Sequence, residues 1–292
     1  MRDSPVVVRR EMLRGLERIN ATTIVLQRAR LADPLRGFWE AADVQWWWAR
    51  PRASDELALP VWFDDAGPVA ATGLTSSKDE GPWQTDVFVV PSTVSPEEVW
   101  AETMKAADEH AQDSLEMLVH DTDTTLTDLA LHSGFKLTEE RLGTSWMDPE
   151  HRRPISNVSE FTVVDRTDRA DRPHPMIARN GEHIEQRLQQ CSLYDPTLDL
   201  SVEDMDGNVA GYALFWHDHT TSVGLLEPMR VHEKYQRRGL AHMLLTNGVD
   251  RLVRQGARRL KVGFATEAAG DLYRGGGFVQ TSVDRLLTRP AQ

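Results

Sequence analysis

The sequence is short of cysteine, of positive charge and of long apolar runs. Its 292 residues include one cysteine, Cys191, so an intrachain disulfide is excluded and nothing points to an oxidising compartment. No stretch approaches the roughly 18 consecutive apolar residues that a membrane-spanning helix needs. Hydrophobic residues make up 40% and charged residues 27% of the chain, which is typical of a soluble globular protein.

The first residues also lack an export signal. The segment MRDSPVVVRREML contains a run of three valines between charges, whereas a secretory signal needs about 7–15 apolar residues there. We therefore expect a cytoplasmic protein.

The formal net charge of −12 reflects 33 basic against 45 acidic side chains. Nucleic acids and anionic membranes are bound through positive fields, so we expect neither as a partner. An acidic protein is compatible with cationic partners such as amines.

A charged, proline-containing segment, DPEHRRPISNVSE (148–160), is typical of a linker between two halves. Tryptophan usage changes at the same place, because of nine tryptophans only Trp216 follows it. We therefore predict two domains, 1–150 and 151–292.

The two halves contain a weak internal repeat with an offset of 143 residues. The segment 114–135 then aligns with a segment that ends at Phe278. Each copy shows a strand-like alternation, a short helical segment and a Gly-Phe pair. Chance similarity of two strand–helix–strand units remains the alternative explanation.

The second half predicts several strands before one long helix. Residues 160–167 and 220–231 have strand character, the proline-rich segment after residue 170 predicts one or two short helices, and Asp206-Gly207 indicates a hairpin turn. Helical spacing over 240–255 ends at Gly256. A strand–helix–strand unit closes the chain, which makes the fold class α+β.

The segment YQRRGLAHMLL (235–245) places two arginines and a glycine at the start of the long helix. A helix N-terminus presents free N–H groups and partial positive charge, and glycine lets a ligand approach the backbone closely. Residues 228–261 contain nine Lys or Arg against two acids. A phosphorylated ligand explains this cluster; a strand-to-helix turn with solvated arginines is the alternative.

The same turn differs from two common nucleotide-binding motifs. It lacks the Lys-Ser/Thr ending of a P-loop and the spacing of a dinucleotide fingerprint, so neither ATP nor NAD is favoured.

Two motifs resemble those of the GNAT acetyltransferase superfamily. Val231-(x)4-Gln236-Arg237-Arg238-Gly239-Leu240-Ala241 is similar to its Q/R-x-x-G-x-G/A signature, and LYRGGGF (272–278) is similar to its closing Leu-Tyr-x-x-x-Gly-Phe. The resemblance covers roughly residues 155–290. With the internal repeat, it implies two tandem GNAT-like domains, each a mixed, mostly antiparallel sheet flanked by helices.

This resemblance implies acetyl-CoA as co-substrate and no metal. A splayed strand would pair with the pantetheine arm, and the turn would hold the pyrophosphate. The residues implied in these contacts are Met229, Arg230, Val231, Gln236, Arg237, Arg238, Gly239, Leu240, Ala241 and His242. Thr266 departs from the family, which often has Asn there, whereas Ala269 matches it.

The resemblance also implies catalytic roles for two side chains. Tyr273 is the candidate for protonating the departing sulfur, since a phenol carries its proton at neutral pH. Glu227, four residues before Val231, is the candidate base, because a carboxylate among apolar neighbours has a raised pKa. A core tyrosine and a salt-bridged glutamate are the structural alternatives. The Val231 N–H is the implied donor to the thioester carbonyl.

The first half lacks the matching features. At the repeat offset Tyr273 corresponds to Ala130, and the segment matching the phosphate turn has no glycine. Ser95 is typical of an N-cap, with Pro96 as the first helical residue and two glutamates after it. Those acids would repel a pyrophosphate, so residues 1–150 are expected to form a degenerate, non-catalytic copy that walls off the acceptor pocket or mediates dimer contacts.

Together these observations predict an acetyl-CoA-dependent N-acetyltransferase acting on a small-molecule or peptide amine, with residues 172–198 lining the acceptor pocket by family analogy. A mycothiol-synthase-like enzyme and a non-catalytic acyl-CoA-binding module remain alternatives, and a homodimer remains open. His217-x-His219 has metal-like spacing but is expected in a polar turn between strands. Cys191 has no histidine that can be placed beside it.

Overall fold

The computed structural model describes residues 8–35, 37–77 and 80–291. They form two compact units, an N-terminal unit that runs up to Arg141 and resumes at Val283, and a C-terminal unit, Leu142–Ser282. No helix in the part of the chain that the structure describes has the length and apolarity needed to cross a membrane.

Helices and strands are interspersed along the described residues. In the first half they are β1 (Arg9–Leu13), α1 (Gly15–Ala32), α2 (Ala41–Trp48), β2 (Leu59–Asp64), β3 (Gly67–Thr75), β4 (Trp83–Val89), α3 (Pro96–His110), β5 (Leu115–Val119), α4 (Thr124–His132) and β6 (Lys136–Met147). In the second half they are β7 (Phe161–Asp165), α5 (Ile177–Asn180), α6 (Ile184–Leu188), β8 (Asp199–Asp204), β9 (Val209–Asp218), β10 (Val223–Val231), α7 (Leu240–Arg254), β11 (Arg259–Phe264), α8 (Glu267–Gly275) and β12 (Val279–Arg289).

The boundary between the two units differs from the predicted one between residues 150 and 151. The structure divides after Arg141 and again after Ser282. The later residues of β6, from Gly143 to Met147, pair with β11 of the C-terminal unit. The later residues of β12, from Arg285 to Arg289, pair instead with β5 of the N-terminal unit. The C-terminal end of the chain therefore completes the first unit, which a linear division of the sequence cannot describe.

The sheet of the N-terminal unit runs in the order β1-β2-β3-β4-β5 and then the end of β12. Its neighbours are antiparallel except β4 and β5, which are parallel and in register at Trp83 with Leu115 and at Gln84 with Glu116. Helices α1 and α3 pack against β3 and β4. The core contains Leu74, Met117 and Leu287, each at most 1% exposed.

The sheet of the C-terminal unit runs in the order β7-β8-β9-β10-β11 and then β6. Again one neighbouring pair is parallel, β10 with β11. Helix α7 lies close against β9, because a Cβ atom built on Gly248 would come 2.0 Å from the Phe215 ring. This close approach explains a glycine inside a helix, where it otherwise costs stability.

Most element predictions for the second half are confirmed. The structure contains the strands at 161–165 and 223–231, two short helices after residue 170, and the helix over 240–254. Gly207 takes a left-handed φ of 79° in the turn between β8 and β9, as the Asp-Gly pair predicts. The segment predicted as a linker is bound to the C-terminal unit: the Ser156 N–H donates to Thr246 Oγ1 at 3.0 Å.

The internal repeat is visible in the elements themselves. Helix α4 begins at Thr124 and α8 at Glu267, and the two end at His132 and Gly275, so both ends keep the offset of 143 residues. Each helix follows a strand that forms the parallel pair of its unit. Each unit is therefore a mixed, mostly antiparallel sheet flanked by helices, as predicted.

Candidate functional site

The parallel pair of the C-terminal unit is in register over a short distance. Its aligned residues run from Val223 with Arg259 to Leu225 with Lys261, although β10 continues to Val231. Beyond the pairing with Lys261, Met229–Val231 stay aligned with β9 on their other side. The edge of β10 that faces away from β9 therefore has polar backbone groups available to an extended ligand.

A bulge in β10 sets the position of Glu227. The register between β10 and β9 shifts between Leu226 and Met229, so Glu227 and Pro228 lie in the irregularity, joined by a cis peptide bond. The Trp216 indole N–H donates to the Glu227 carbonyl oxygen at 2.7 Å and fixes the backbone there. The Glu227 side chain is half-buried.

The arginine–glycine turn follows β10 and opens α7. Arg237 and Gly239 both have left-handed backbone conformations, with φ of 63° and 83°. Gly239 is the N-cap residue of α7 and has no side chain to occupy the first-turn N–H groups. Residues 236–239 are exposed, so a ligand can reach the positive end of the helix directly.

An aromatic residue that sequence analysis missed holds this turn. The Tyr235 hydroxyl donates to Asp204 Oδ2 at 2.5 Å, and this hydrogen bond lowers the pKa of Asp204 to about 2. The Arg238 guanidinium carbon lies 5.8 Å from the centroid of the Tyr235 ring, within cation–π distance. The Gln236 side chain donates to the Val231 carbonyl at 3.3 Å. An aromatic side chain directly before the Gln-Arg-Arg-Gly run is the signal that could have identified it.

Tyr273 lies on α8 between two aromatic rings. Its ring centroid is 6.2 Å from that of Phe264 and 6.1 Å from that of Phe278. Burial raises the pKa of the Tyr273 hydroxyl well above its ordinary value, and the negative charge of Glu227 raises it further. The structure thus brings both candidate catalytic side chains within electrostatic reach and keeps the phenol protonated.

The residue that departs from the family pattern, Thr266, is the N-cap of α8. Its hydroxyl oxygen accepts a hydrogen bond from the Ala269 N–H at 3.3 Å. Because the residue is exposed, the hydroxyl hydrogen remains able to donate to a ligand.

The segment predicted to line the acceptor pocket is anchored by a buried polar cluster that sequence analysis did not detect. Asp199 accepts hydrogen bonds at 2.8 Å from His174 Nε2 and at 2.9 Å from the Tyr194 hydroxyl. The Tyr194 ring lies 6.4 Å from the Trp216 ring, and Trp216 donates to the Glu227 carbonyl. A continuous set of contacts therefore joins residues 174–199 to the candidate base.

Cys191 and His217, two other residues whose chemistry could suggest a function, are both buried. Burial raises the pKa of the Cys191 thiol to about 12, so little reactive thiolate forms at neutral pH. His217 was expected in a polar turn, but it is a buried residue of β9, which continues to Asp218. Within residues 8–35, 37–77 and 80–291 the structure brings together no three His, Cys, Asp or Glu side chains that could hold a metal ion.

The corresponding helix start in the N-terminal unit is closed by its own side chains. The Ser95 hydroxyl oxygen accepts a hydrogen bond from the Glu98 N–H at 3.1 Å, and Pro96 is the first helical residue, as predicted. The Glu98 carboxylate is held in place because it accepts a hydrogen bond from the Trp62 indole at 2.9 Å.

Comparisons with known proteins agree with this geometry. A sequence profile of the Acetyltransferase (GNAT) family matches residues 165–278. No curated protein sequence gives a significant match.

Three solved structures share the fold of the whole chain. A tandem GNAT protein from the clavulanic acid biosynthesis pathway has a TM-score of 0.69 at 14% identity, covering 98% of this chain and 99% of that one. A GCN5-related N-acetyltransferase from Sphaerobacter thermophilus has a TM-score of 0.59 at 16% identity, covering 98% and 96%. The glucosamine N-acetyltransferase region of a fungal multi-domain GH3 β-N-acetylglucosaminidase has a TM-score of 0.61 at 15% identity, covering 98% and 38%.

At such identities the likeness shows the fold, while the profile match and the two motifs concern the sequence itself. Residues 165–278 therefore match the acetyltransferase (GNAT) family in sequence, and the chain as a whole has the fold of a tandem GNAT protein.

Proposed function

We propose that the C-terminal unit transfers an acetyl group from acetyl-CoA directly to a primary amine. The observation that carries this proposal is the path from the edge of β10 beyond its register with β11 into the exposed turn at Gly239. An extended ligand can pair with the edge, and its phosphates can then meet the N-terminus of α7.

The turn suits a diphosphate for three reasons. The first-turn N–H groups of α7 carry partial positive charge. Arg237 and Arg238 are exposed and add two guanidinium groups, which bind phosphate oxygens in bidentate fashion. Gly239 takes its left-handed φ without strain and places no Cβ between the ligand and the backbone. We assign the pantetheine contacts to Met229, Arg230 and Val231, and the diphosphate contacts to residues 236–242.

The transfer needs two proton movements. The nitrogen of a neutral amine attacks the thioester carbonyl carbon, the new C–N bond forms, and the C–S bond breaks. The amine proton passes to Glu227, directly or through one water molecule, and the Tyr273 hydroxyl protonates the departing sulfur. The Val231 N–H is assigned as the donor to the carbonyl oxygen, on which negative charge develops.

The environments of both side chains support these roles. Tyr273 is buried, and its raised pKa keeps a proton available at neutral pH. Glu227 is half-buried and within electrostatic reach of Tyr273, and its backbone is fixed by Trp216. Two titratable groups within electrostatic reach of each other, as Tyr273 and Glu227 are, suit a site of proton transfer.

The acceptor is proposed as a primary amine on a small molecule or a peptide. The fungal enzyme region with the same fold is named as a glucosamine N-acetyltransferase. Amino sugars therefore belong in an acceptor panel together with polyamines, aryl-alkyl amines, lysine peptides and peptides with free N-termini.

The test measures release of the coenzyme thiol from acetyl-CoA across this panel, with mass spectrometry of each acceptor to identify the acetylated atom. Isothermal titration calorimetry of acetyl-CoA on the same preparation reports binding independently. We expect micromolar-range binding and acetylation of at least one amine. Binding without acetylation of any acceptor would instead indicate a non-catalytic acyl-CoA-binding module, and a folded protein without binding would refute the proposal altogether.

A further inference from the structure

The N-terminal unit contains a cavity of about 330 Å³ beside its parallel strand pair. The register of β4 with β5 ends at Gln84 and Glu116, although both strands continue. Residues 86–89 of β4 and 117–119 of β5 line the cavity where the pairing has ended, and α1, α4 and the segment 37–39 close it. The volume lies near the lower end of the range for small-molecule pockets, roughly 300–1,000 Å³.

Most of the cavity wall is apolar. The side chains that line it come from helices and strands of the N-terminal unit and include Leu26, Phe38, Val87, Phe88, Met117 and Leu126. A ligand that fills this space must therefore present an apolar body to gain free energy from burial.

One polar side chain in the wall lacks half of its hydrogen bonds. Asp86 is 3% exposed, and its Oδ1 accepts a hydrogen bond from the Trp39 indole at 2.6 Å. Its Oδ2 has no partner among the residues that the structure describes. An unsatisfied buried carboxylate oxygen costs free energy, so a hydrogen-bond donor supplied by a ligand would stabilise the site.

A glycine of the neighbouring strand β3, Gly73, leaves the space that the Asp86 side chain occupies. A Cβ atom on Gly73 would come 2.5 Å from the Asp86 Cβ and 2.9 Å from the Phe88 ring. Glycine at this position of β3 is thus required for Asp86 and Phe88 to adopt their places in the cavity.

The charges that face the cavity favour a cation. The Arg30 guanidinium is already bound by Glu40, at 2.5 and 3.0 Å. Asp123 adds a second carboxylate to the wall, while His120 lies against Asp121. Glu116 and Asp43 add further negative charge near Asp86, and together with burial they raise its pKa well above the ordinary value.

From this arrangement we propose that the cavity of the N-terminal unit is a binding site for a small apolar amine, whose ammonium group donates to Asp86 Oδ2. The site is separate from the acetyl transfer proposed for the C-terminal unit and requires no acetyl-CoA. An ammonium group next to Asp86 would favour its carboxylate form and offset the effect of burial on its pKa.

The test titrates the full-length protein with 2-phenylethylamine by calorimetry at pH 7, without acetyl-CoA. The matched uncharged probe is n-propylbenzene, which replaces the ammonium group with a methyl group. We expect the amine to bind about tenfold more tightly than propylbenzene, since a hydrogen bond to a charged group contributes that much or more.

Three variants locate the binding. Asp86→Asn keeps an acceptor for Trp39 but cannot ionise, and we expect it to lose the tenfold preference. Ala29→Phe fills the cavity from α1 and should weaken both probes. Glu97→Gln removes an exposed acid of the same unit and should change neither affinity. The Trp39 indole N–H resonance is expected to shift on amine binding in the wild-type protein.

Several results would overturn the proposal. Equal affinity of the wild-type protein for the amine and for propylbenzene would show that Asp86 does not bind the ammonium group. This result holds even if the Asp86→Asn variant fails to fold. Amine binding that persists unchanged in Asp86→Asn and Ala29→Phe lies at another site, such as the acceptor site of the C-terminal unit. Absence of binding by both probes shows that the cavity holds no ligand of this class.

Discussion

The helix that follows the first strand of the parallel pair begins differently in the two units. Helix α3 starts with Ser95 as a hydrogen-bonded cap and carries Glu97 and Glu98 in its first turn. Helix α7 starts at Gly239, which has no capping side chain, after two exposed arginines. The same backbone arrangement therefore ends in a helix start capped by its own side chain in one unit. In the other unit the helix start has no side-chain cap and follows two arginines, which suits the diphosphate that we propose there.

This comparison shows that the fold does not determine the ligand. Both units keep a parallel strand pair whose register ends early. In the N-terminal unit that geometry leaves an apolar cavity beside a buried acid, and in the C-terminal unit it leads to a basic turn. A few residues at the helix start and on the first strand of the pair decide which chemistry each copy can support.

The largest effect is expected from Gly239→Glu. Glutamate at a φ of 83° is strained by about 1–2 kcal/mol, and its charge repels a diphosphate at the helix N-terminus. We expect acetyl-CoA affinity to fall by at least about 10²-fold, with transfer activity falling in parallel. Calorimetry with acetyl-CoA measures the change.

Two controls separate charge and position from strain. Gly256→Glu places the same side chain at a φ of 101° with nothing within 4 Å of the added Cβ, so it tests backbone strain at the opposite end of α7. Glu97→Ala alters the helix start of the N-terminal unit. Both are expected to leave acetyl-CoA binding unchanged. If either one weakened binding as much as Gly239→Glu, the diphosphate would be assigned to the wrong place.

The second-largest effect is expected from removing the Tyr273 hydroxyl. Tyr273→Phe keeps the ring between Phe264 and Phe278 but removes the proton donor, so we expect kcat to fall about 10²–10⁴-fold with acetyl-CoA affinity retained. Because burial and Glu227 raise the phenol pKa, the donor stays protonated as pH rises from 7 to 10. The wild-type rate is therefore expected to show no loss from this group over that range, measured as a pH profile of kcat. An unchanged kcat in the variant would assign Tyr273 to packing alone.

The effect of Glu227→Gln is expected to be smaller and to depend on pH. The amide cannot accept the amine proton, so kcat/KM should fall about 10²-fold near neutral pH. As pH approaches the acceptor's own pKa, more of the amine is already neutral and the variant should recover towards the wild-type rate. The measurement is kcat/KM against pH for both proteins with one amine. If the ratio of wild-type to variant kcat/KM stayed constant across the pH range, Glu227 would not be acting as a base.

The smallest effects are expected from a matched pair of helix caps, Ser95→Ala and Thr266→Ala. Each removes a hydroxyl that accepts a first-turn N–H, at 3.1 and 3.3 Å, and each should cost about 1 kcal/mol of unfolding free energy. Urea unfolding measures this cost. If the Thr266 hydroxyl also donates to the coenzyme, Thr266→Ala alone should raise KM for acetyl-CoA; equal KM values for the two variants would exclude that contact.

Features encoded by nearby residues could be predicted from the sequence. The Asp206-Gly207 turn, the Ser95 cap and the helix over 240–254 each depend on side chains within one or two turns of chain. The repeat could be detected because both helices of the short strand–helix–strand units keep the same offset. The basic turn could likewise be predicted, because its two arginines and its glycine are consecutive in the sequence.

Features that depend on distant contacts could not be predicted. The place of His217 in a buried strand depends on where β9 ends, which the alternation near residues 217–219 does not specify. The bulge at Glu227, the Tyr235–Asp204 hydrogen bond and the acid at Asp86 are defined by partners 11, 31 and 47 residues away in sequence. Local periodicity contains no information about such pairs.

The return of β12 to the first unit has a consequence for how the protein is made. Strand β5 is completed by Arg285–Arg289, and Leu287 among them is fully buried. A ribosome must therefore translate residues 285–289 before the earlier-synthesised unit can complete its sheet, and until then that edge of β5 has no neighbouring strand in the nascent chain. Deleting residues 283–292 would damage the unit that was translated first.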